Sequence, residues 1–218
     1  MKLVNILFAL FFLSSCAGYH FRQVQNPFSH FGIKSISIPM FVNQSIVPNV
    51  SSIFTQEVHL LLSRYSGLKV YSGYRRDTDA VLLGIVSSGQ RVVEVFQQGD
   101  KSLISKDLLS GRNPFYVNSS TSYKMKLRIV LLKRPDPRLI KLVQGPLGDQ
   151  IKGSPQIVLD ESFSLGSSFA RGIGENSSEG IEGRSVNFTK SKGWFRIMLK
   201  ELAKVASERI RKEVLNAF

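Results

Sequence analysis

The stretch Tyr123-Lys124-Met125-Lys126-Leu127-Arg128-Ile129-Val130-Leu131 alternates large apolar residues with cations for most of its length. A strand turns successive side chains to opposite faces, so this period of two marks a β-strand with one face in a core and the other mostly basic and wet. Lys124, Lys126 and Arg128 then form a cationic row, with alternate residues about 6.8 Å apart along the strand.

Ile157 to Leu165 alternates again, with Glu161 interrupting the apolar phase. Ala80 to Val86 is a continuous apolar strand, and Val92 to Phe96 can extend it after a break at Ser87-Ser88-Gly89. Upstream, Ile36, Ile38 and Met40 alternate with Ser35 and Ser37 in a strand from Ile33 to Met40 that Pro39 ends or confines to an edge. Between these strands, Val50, Ile53, Phe54, Val58, Leu61, Leu62 and Tyr65 recur at spacings of three and four. That spacing gives a helix with one apolar stripe, with Pro48 in its first turn and Gly67 as its stop. A second helix runs from about Lys190 to Asn216. It is striped by Phe195, Met198, Leu199, Leu202, Val205, Ala206, Ile210 and Val214, with Arg196, Lys200, Lys204 and Arg211 close together on the other side. The expected class is α/β, as an α+β two-layer sandwich: a four-stranded, mostly antiparallel sheet with two helices packed on one face and the opposite face open. Residues 97–118 and 134–154 read as long polar connections, and 166–184 as a Gly/Ser/Glu-rich loop.

The N-terminus carries a different message. Lys2 precedes an apolar run, Leu3 to Leu13, broken only by Asn5. This is about half the ~20 residues that span a bilayer, so it reads as a cleavable signal. It ends in Leu13-Ser14-Ser15-Cys16, which matches the lipobox of bacterial lipoproteins. Residues 1–15 are therefore a lipoprotein signal peptide, 16–31 a lipidated tether with aromatic contacts, and 32–218 a single domain. Cys16 is the only cysteine, which excludes an internal disulfide and multi-thiolate zinc sites. Acyl chains on one residue, at ~0.8 kcal/mol per buried CH₂, make a durable anchor. By resemblance to lipoproteins of this kind, Ala17 at the following position favours the outer membrane.

The net charge of +13 favours anionic partners. Export argues against nucleic acid, and phosphorylated lipid suits the charge better; a basic surface that only maintains solubility accounts for it too. Five Asn-x-Ser/Thr triplets, at Asn43, Asn49, Asn118, Asn176 and Asn187, read as chance matches behind a bacterial lipobox.

Catalytic patterns are missing. His20, His30 and His59 lack metal-ligand spacing, there is no Gly-x-Ser-x-Gly elbow, and Gly172-Ile173-Gly174 lacks the rest of a dinucleotide fingerprint. Asp77 with Asp79 and Asp160 with Glu161 are the only paired acids worth testing. The latter two are adjacent on a strand, so they point to opposite faces and do not form an acid/base pair. Neither an enzyme nor a cofactor or metal is expected.

Three segments together resemble the lipopolysaccharide-assembly lipoprotein family LptE. They are Gly18-Tyr19-His20-Phe21-Arg22 behind the lipobox, Ile36-Ser37-Ile38-Pro39-Met40-Phe41-Val42-Asn43-Gln44-Ser45 before the first helix, and Thr78-Asp79-Ala80-Val81-Leu82-Leu83-Gly84 at the second strand. The resemblance implies a two-layer α/β fold, no catalysis, and a role as plug and partner inside the outer-membrane barrel LptD, aiding delivery of lipopolysaccharide from the periplasmic side. It assigns no residue to lipid contact. The sites expected from charge alone are Lys124, Lys126 and Arg128, with the Arg196, Lys200 and Lys204 face second. The Pro-x-Phe-x-Asn-x-Ser pattern also resembles curli-secretion-like channel lipoproteins, although the basic 124/126/128 face suits lipid poorly. A lipid-anchored scaffold is the third reading.

Overall fold

The computed structural model describes residues 25–89, 96–98, 101–104, 115–118, 120–145, 148, 151, 153–170 and 188–216. The signal peptide, Cys16, the Gly18 to Arg22 opening and most of the 166–184 loop lie outside them. In chain order the elements are β1 (Ser35–Ile38), β2 (Val42–Gln44), α1 (Val50–Leu62), β3 (Lys69–Ser72), β4 (Ala80–Ser87), β5 (Phe96–Gln98), β6 (Lys101–Ile104) and β7 (Phe115–Asn118). They continue with β8 (Ser120–Lys133), α2 (Pro137–Gln144), β9 (Ile157–Ala170) and α3 (Phe188–Arg209), which runs into a π-helical turn, Ile210–Leu215.

The expected α+β sandwich is the architecture, but its sheet has seven strands rather than four and is mixed. The path is β3-β1-β4-β8-β5, with β2 also on β4 and β9 on β8. β1 pairs in parallel with both β3 and β4, and β2 with β4, whereas β4, β5 and β9 are all antiparallel to β8. Part of the difference in count is interruption. β1 and β2 lie along the same edge of β4, opposite Ala80–Val81 and Ile85–Ser87, and are parted by Pro39-Met40-Phe41. Proline has no N–H to give a ladder, so the line breaks there and resumes. β4 and β5 likewise line one edge of β8, at Lys126–Lys133 and Thr121–Tyr123; residues 90–95 between them lie outside the described set.

α1 and α3 cover one face together. Phe54, Val58 and Leu62 from α1 meet Ile36, Ile38, Leu82, Tyr123, Leu127, Ile129 and Leu131 from the sheet and Leu199, Leu202 and Ala206 from α3 in one buried cluster. The π-turn keeps Ile210, Val214 and Leu215 buried in it. α1 starts at Val50 with Asn49 as N-cap in the left-handed region (φ 61), so Pro48 lies just before the helix rather than in its first turn. Gly67, at φ 78, turns the chain into β3.

The opposite face is not fully open, as the sequence reading had it. α2 sits on it, burying Val143 against Val81, Leu83, Ile85, Val130 and Leu132. The uninterrupted apolar run of β4 is thereby explained: Ala80, Leu82 and Val86 enter one cluster, and Val81, Leu83 and Ile85 the other. A strand buried on both faces has no polar phase. α2 begins with Asp136, whose carboxylate accepts from the Arg138 N–H at 2.9 Å, followed by proline in the first turn.

The tether is shorter than 16–31. Gln25 bridges to Ser66, and Phe28 and Ile33 are buried in the main cluster, so the folded body begins no later than residue 25.

Candidate functional site

Beyond α2, the far half of the sheet's second face is polar. β8 contributes Lys124 and Lys126, both exposed. They line a shallow, open groove of about 560 Å³ with Ser87, Ser88, Ser164 and Gly166. A smaller pocket shares Ser87 and Lys126 with it and runs under the C-terminal end of α2, lined also by Gln44, Arg128 and Gly145. Gln44 holds that end of α2, donating from Nε2 to the Gln144 carbonyl at 3.0 Å.

The cationic row does not survive whole. Arg128 is 5% exposed. Its guanidinium donates to both carboxylate oxygens of Asp160, Nε to Oδ1 at 2.7 Å and Nη2 to Oδ2 at 2.6 Å. The β8–β9 register pairs Val130 with Asp160 and Ile129 with Glu161, which sets Asp160 on the Arg128 face and one rung along from it. The groove therefore presents two open ammonium groups, and Arg128 is a fixed, neutralised wall beside them.

The second basic face lies on the other side of the sheet, on the outer surface of α3. Arg196, Lys200 and Lys204 are exposed there, beside the exposed Ile197 and Val205. Lys204 donates to Glu201 Oε1 at 3.0 Å; that hydrogen bond and charge raise its pKa above the ordinary lysine value. With the sheet between them, the two faces cannot grip one headgroup jointly.

The two internal family-like segments pack against each other. The Phe41 ring lies over Gly84, where any Cβ would collide with it. The Phe41 N–H donates to Thr55 Oγ1 at 2.9 Å. Asn43 ties the next turn, donating to the Val47 carbonyl at 2.8 Å and accepting from the Ser45 N–H and hydroxyl. Asp79 Oδ2 accepts from the N–H groups of Lys34 and Ser35 and from Ser35 Oγ, each within 2.9 Å. Those bonds, the one from the Lys34 N–H foremost, hold the Asp79 carboxyl below its usual pKa. These motif residues thus organise the sheet and the β2–α1 connection.

No protein-family model matches the chain, and no curated protein does. Similar solved structures include a protein described as a lipoprotein from Caulobacter crescentus, 9% identical with a TM-score of 0.38, the match covering 82% of this chain and 88% of that one. The PelC dodecamer from Paraburkholderia phytofirmans is 8% identical with a TM-score of 0.38, over 82% of this chain and 86% of that one. The rare lipoprotein B from Shewanella oneidensis is 9% identical with a TM-score of 0.33, over 83% and 95%. Likeness of this size assigns neither a family nor an activity.

Proposed function

We propose that this chain is an outer-membrane lipoprotein, acylated at Cys16 and facing the periplasm, that docks with a β-barrel of LptD type and assists lipopolysaccharide transport to the cell surface. The observation that carries the reading is the pairing of the two internal segments that resemble the LptE family. Phe41 rests on Gly84, the Thr78 hydroxyl donates to Ser37 Oγ at 3.1 Å, and Ile36 and Ser37 pair with Ala80 and Val81. Two separated stretches that resemble one family thus form one structural unit, behind a stretch that resembles a lipobox independently. Docking suits a domain whose outer faces carry lysines and serines, because the interior of such a barrel is polar. The segments 97–118 and 134–154 are the contacts proposed for the barrel; neither is the plain polar connection that its composition suggests, because the first holds the antiparallel pair β6–β7 and the second holds α2, which give those contacts ordered elements.

Mild detergent extraction of envelopes followed by affinity purification tests this. A large β-barrel should co-purify in a one-to-one complex, and depletion should lower surface lipopolysaccharide. Cys16→Ala should abolish acylation and signal cleavage, read by mass spectrometry of the N-terminus. A homo-oligomeric ring that conducts ions in planar bilayers, with no barrel partner, would establish the curli-secretion-like channel instead. An anchored protein with neither partner nor conductance would be a scaffold.

A further inference from the structure

We infer that the end of the domain where the tether enters is a docking surface for the anionic headgroups of the membrane that carries the anchor. The inference rests on acylation at Cys16, proposed above, and adds to it a defined orientation of the folded body.

The starting point is the length of chain outside the fold and where it ends. Eight residues lie between Cys16 and Gln25, and the nine steps of chain between the two reach at most about 32 Å when fully extended. Gln25 is pinned to Ser66, at the corner between α1 and β3. That corner therefore cannot leave the neighbourhood of the bilayer, whatever course the tether takes.

The same end is cationic. β1, β3 and β4 all begin there and β8 ends there, because Ser35 pairs with Lys69, Ile36 with Ala80, and Ala80 with Lys133. Lys34 and Lys69 are joined by a backbone hydrogen bond of 2.8 Å, and the Arg134 N–H reaches the Asp79 carbonyl at 2.9 Å. Arg64 closes the end of α1 and lines a cleft with Arg211 from the π-turn. Lys34, Arg64, Lys69, Arg134 and Arg211 are all exposed. The acid among them, Asp79, has an oxygen taken up by the Lys34 and Ser35 donors. Glu57, Glu208, Asp136 and Glu213 are the other acids near it. Glu57 and Glu208 line the cleft with Arg64, Lys204 and Arg211, Asp136 caps α2, and Glu213 has Lys212 beside it in sequence. Across the molecule, Met40, Ser45, Ile46 and Gly89 are uncharged, and Ser88 and Gly89 line the groove that holds Lys124 and Lys126.

A surface potential decays over about 8 Å at physiological salt, so free basic patches gain little from it. A tether of this length keeps the patch at high effective concentration near the headgroups, so that contact once made is regained readily, and one lipid anchor reinforced by basic residues is a recognised two-signal arrangement. The groove at Lys124 and Lys126 is then turned away from the membrane, toward whatever the protein receives or hands on.

The test uses the acylated full-length protein in vesicles of phosphatidylcholine with and without phosphatidylglycerol. The lipid occupies the native thiol, so a fluorophore can be placed through His30→Cys at the tether end or Met40→Cys at the far end; both side chains are exposed. Energy transfer to a headgroup dye should be strong from residue 30 and weak from residue 40. The residue 30 signal should require phosphatidylglycerol and fall on raising salt. Arg64→Glu/Lys69→Glu/Arg211→Glu should weaken the surface-bound fraction about tenfold or more, with the fold checked by circular dichroism; the salt titration on the native sequence stands without that variant. Equal transfer from both probes, or no response to phosphatidylglycerol and salt, overturns the orientation. Mass spectrometry of the same sample reads acylation separately. If Cys16 is unmodified, the anchor reading fails, and salt-sensitive co-sedimentation of the chain with phosphatidylglycerol vesicles decides whether the basic end binds by itself.

Discussion

Arg128 and Asp160 form a bidentate ion pair diagonally across the β8–β9 ladder, with side chains only 7% and 15% exposed. Removing one partner of such a pair strands a charge where water reaches it poorly. Asp160→Ala should therefore lower stability by about 3 kcal/mol. Arg128→Met/Asp160→Leu should recover most of that loss, because an apolar pair of similar volume has no charge to desolvate. Urea denaturation of the three variants reads both effects. A cost below about 1 kcal/mol for Asp160→Ala would mean that the pair is screened like a surface salt bridge.

Gly84 lies in the middle of the buried β4, beneath the Phe41 ring. A methyl group there has to displace an aromatic ring that is 3% exposed. Gly84→Ala should cost about 1–3 kcal/mol by overpacking. In a Phe41→Leu background the penalty should shrink, giving a clear coupling energy in the double-mutant cycle. Strict additivity would show that the ring simply moves aside.

Much of this arrangement is legible in the sequence, and the illegible part has identifiable causes. The β8 alternation, the α1 stripe and the α3 stripe each extend over two or more turns or rungs, and each element lies where its period puts it, except that Val205, placed on the α3 stripe by its spacing, is exposed and Ala203 is buried instead. β3 was missed because Lys69-Val70-Tyr71-Ser72 is too short to show a period, and it exists through parallel pairing with β1. α2 lies in a stretch whose composition reads as polar connection, although Asp136-Pro137 is a helix-start signal. Its apolar residues, Leu139, Ile140 and Val143, complete one short turn and a half. With α2 unseen, Val81, Leu83 and Ile85 had no partner, and the second face looked open. Arg128 was counted with Lys124 and Lys126 because alternation reports which face a residue takes; burial depends on what covers that face. Asp160, Gln44 and Ser87 were invisible as site residues, since their roles follow from strand register alone.

Asp79 gives the acid limb of stability a definite sign. Its folded pKa is lowered, chiefly by the Lys34 N–H and the Ser35 hydroxyl. Its contribution is thus full above the unfolded value of about 3.9 and is lost as pH falls through the lowered folded value. The carboxylate is largely exposed, so the discounted contribution is about 1 kcal/mol. Asp79→Ala should be less stable than the native sequence by that amount at pH 7, with the gap closing below pH 3. A gap of the same size at both pH values would show that the carboxylate's charge plays no part.

Lys124 and Lys126 are the open cations of the groove, and Arg128 beside them is already neutralised by Asp160. Binding of an anionic glycolipid should therefore respond to the two lysines and not to Arg128 as a charge. Lys124→Glu/Lys126→Glu should lower the affinity for lipopolysaccharide about tenfold or more, at roughly 1 kcal/mol per cation near an anionic surface, and raised salt should weaken native binding similarly. Both side chains are exposed, so circular dichroism should show the fold unchanged. Arg128→Met/Asp160→Leu removes a cation and an anion together and should leave the affinity nearly as it was. Arg196→Glu/Lys200→Glu alters the opposite side of the sheet and serves as the control. If that variant loses binding while the Lys124/Lys126 variant retains it, the lipid meets the outer face of α3, where Ile197 and Val205 stand exposed between the cations.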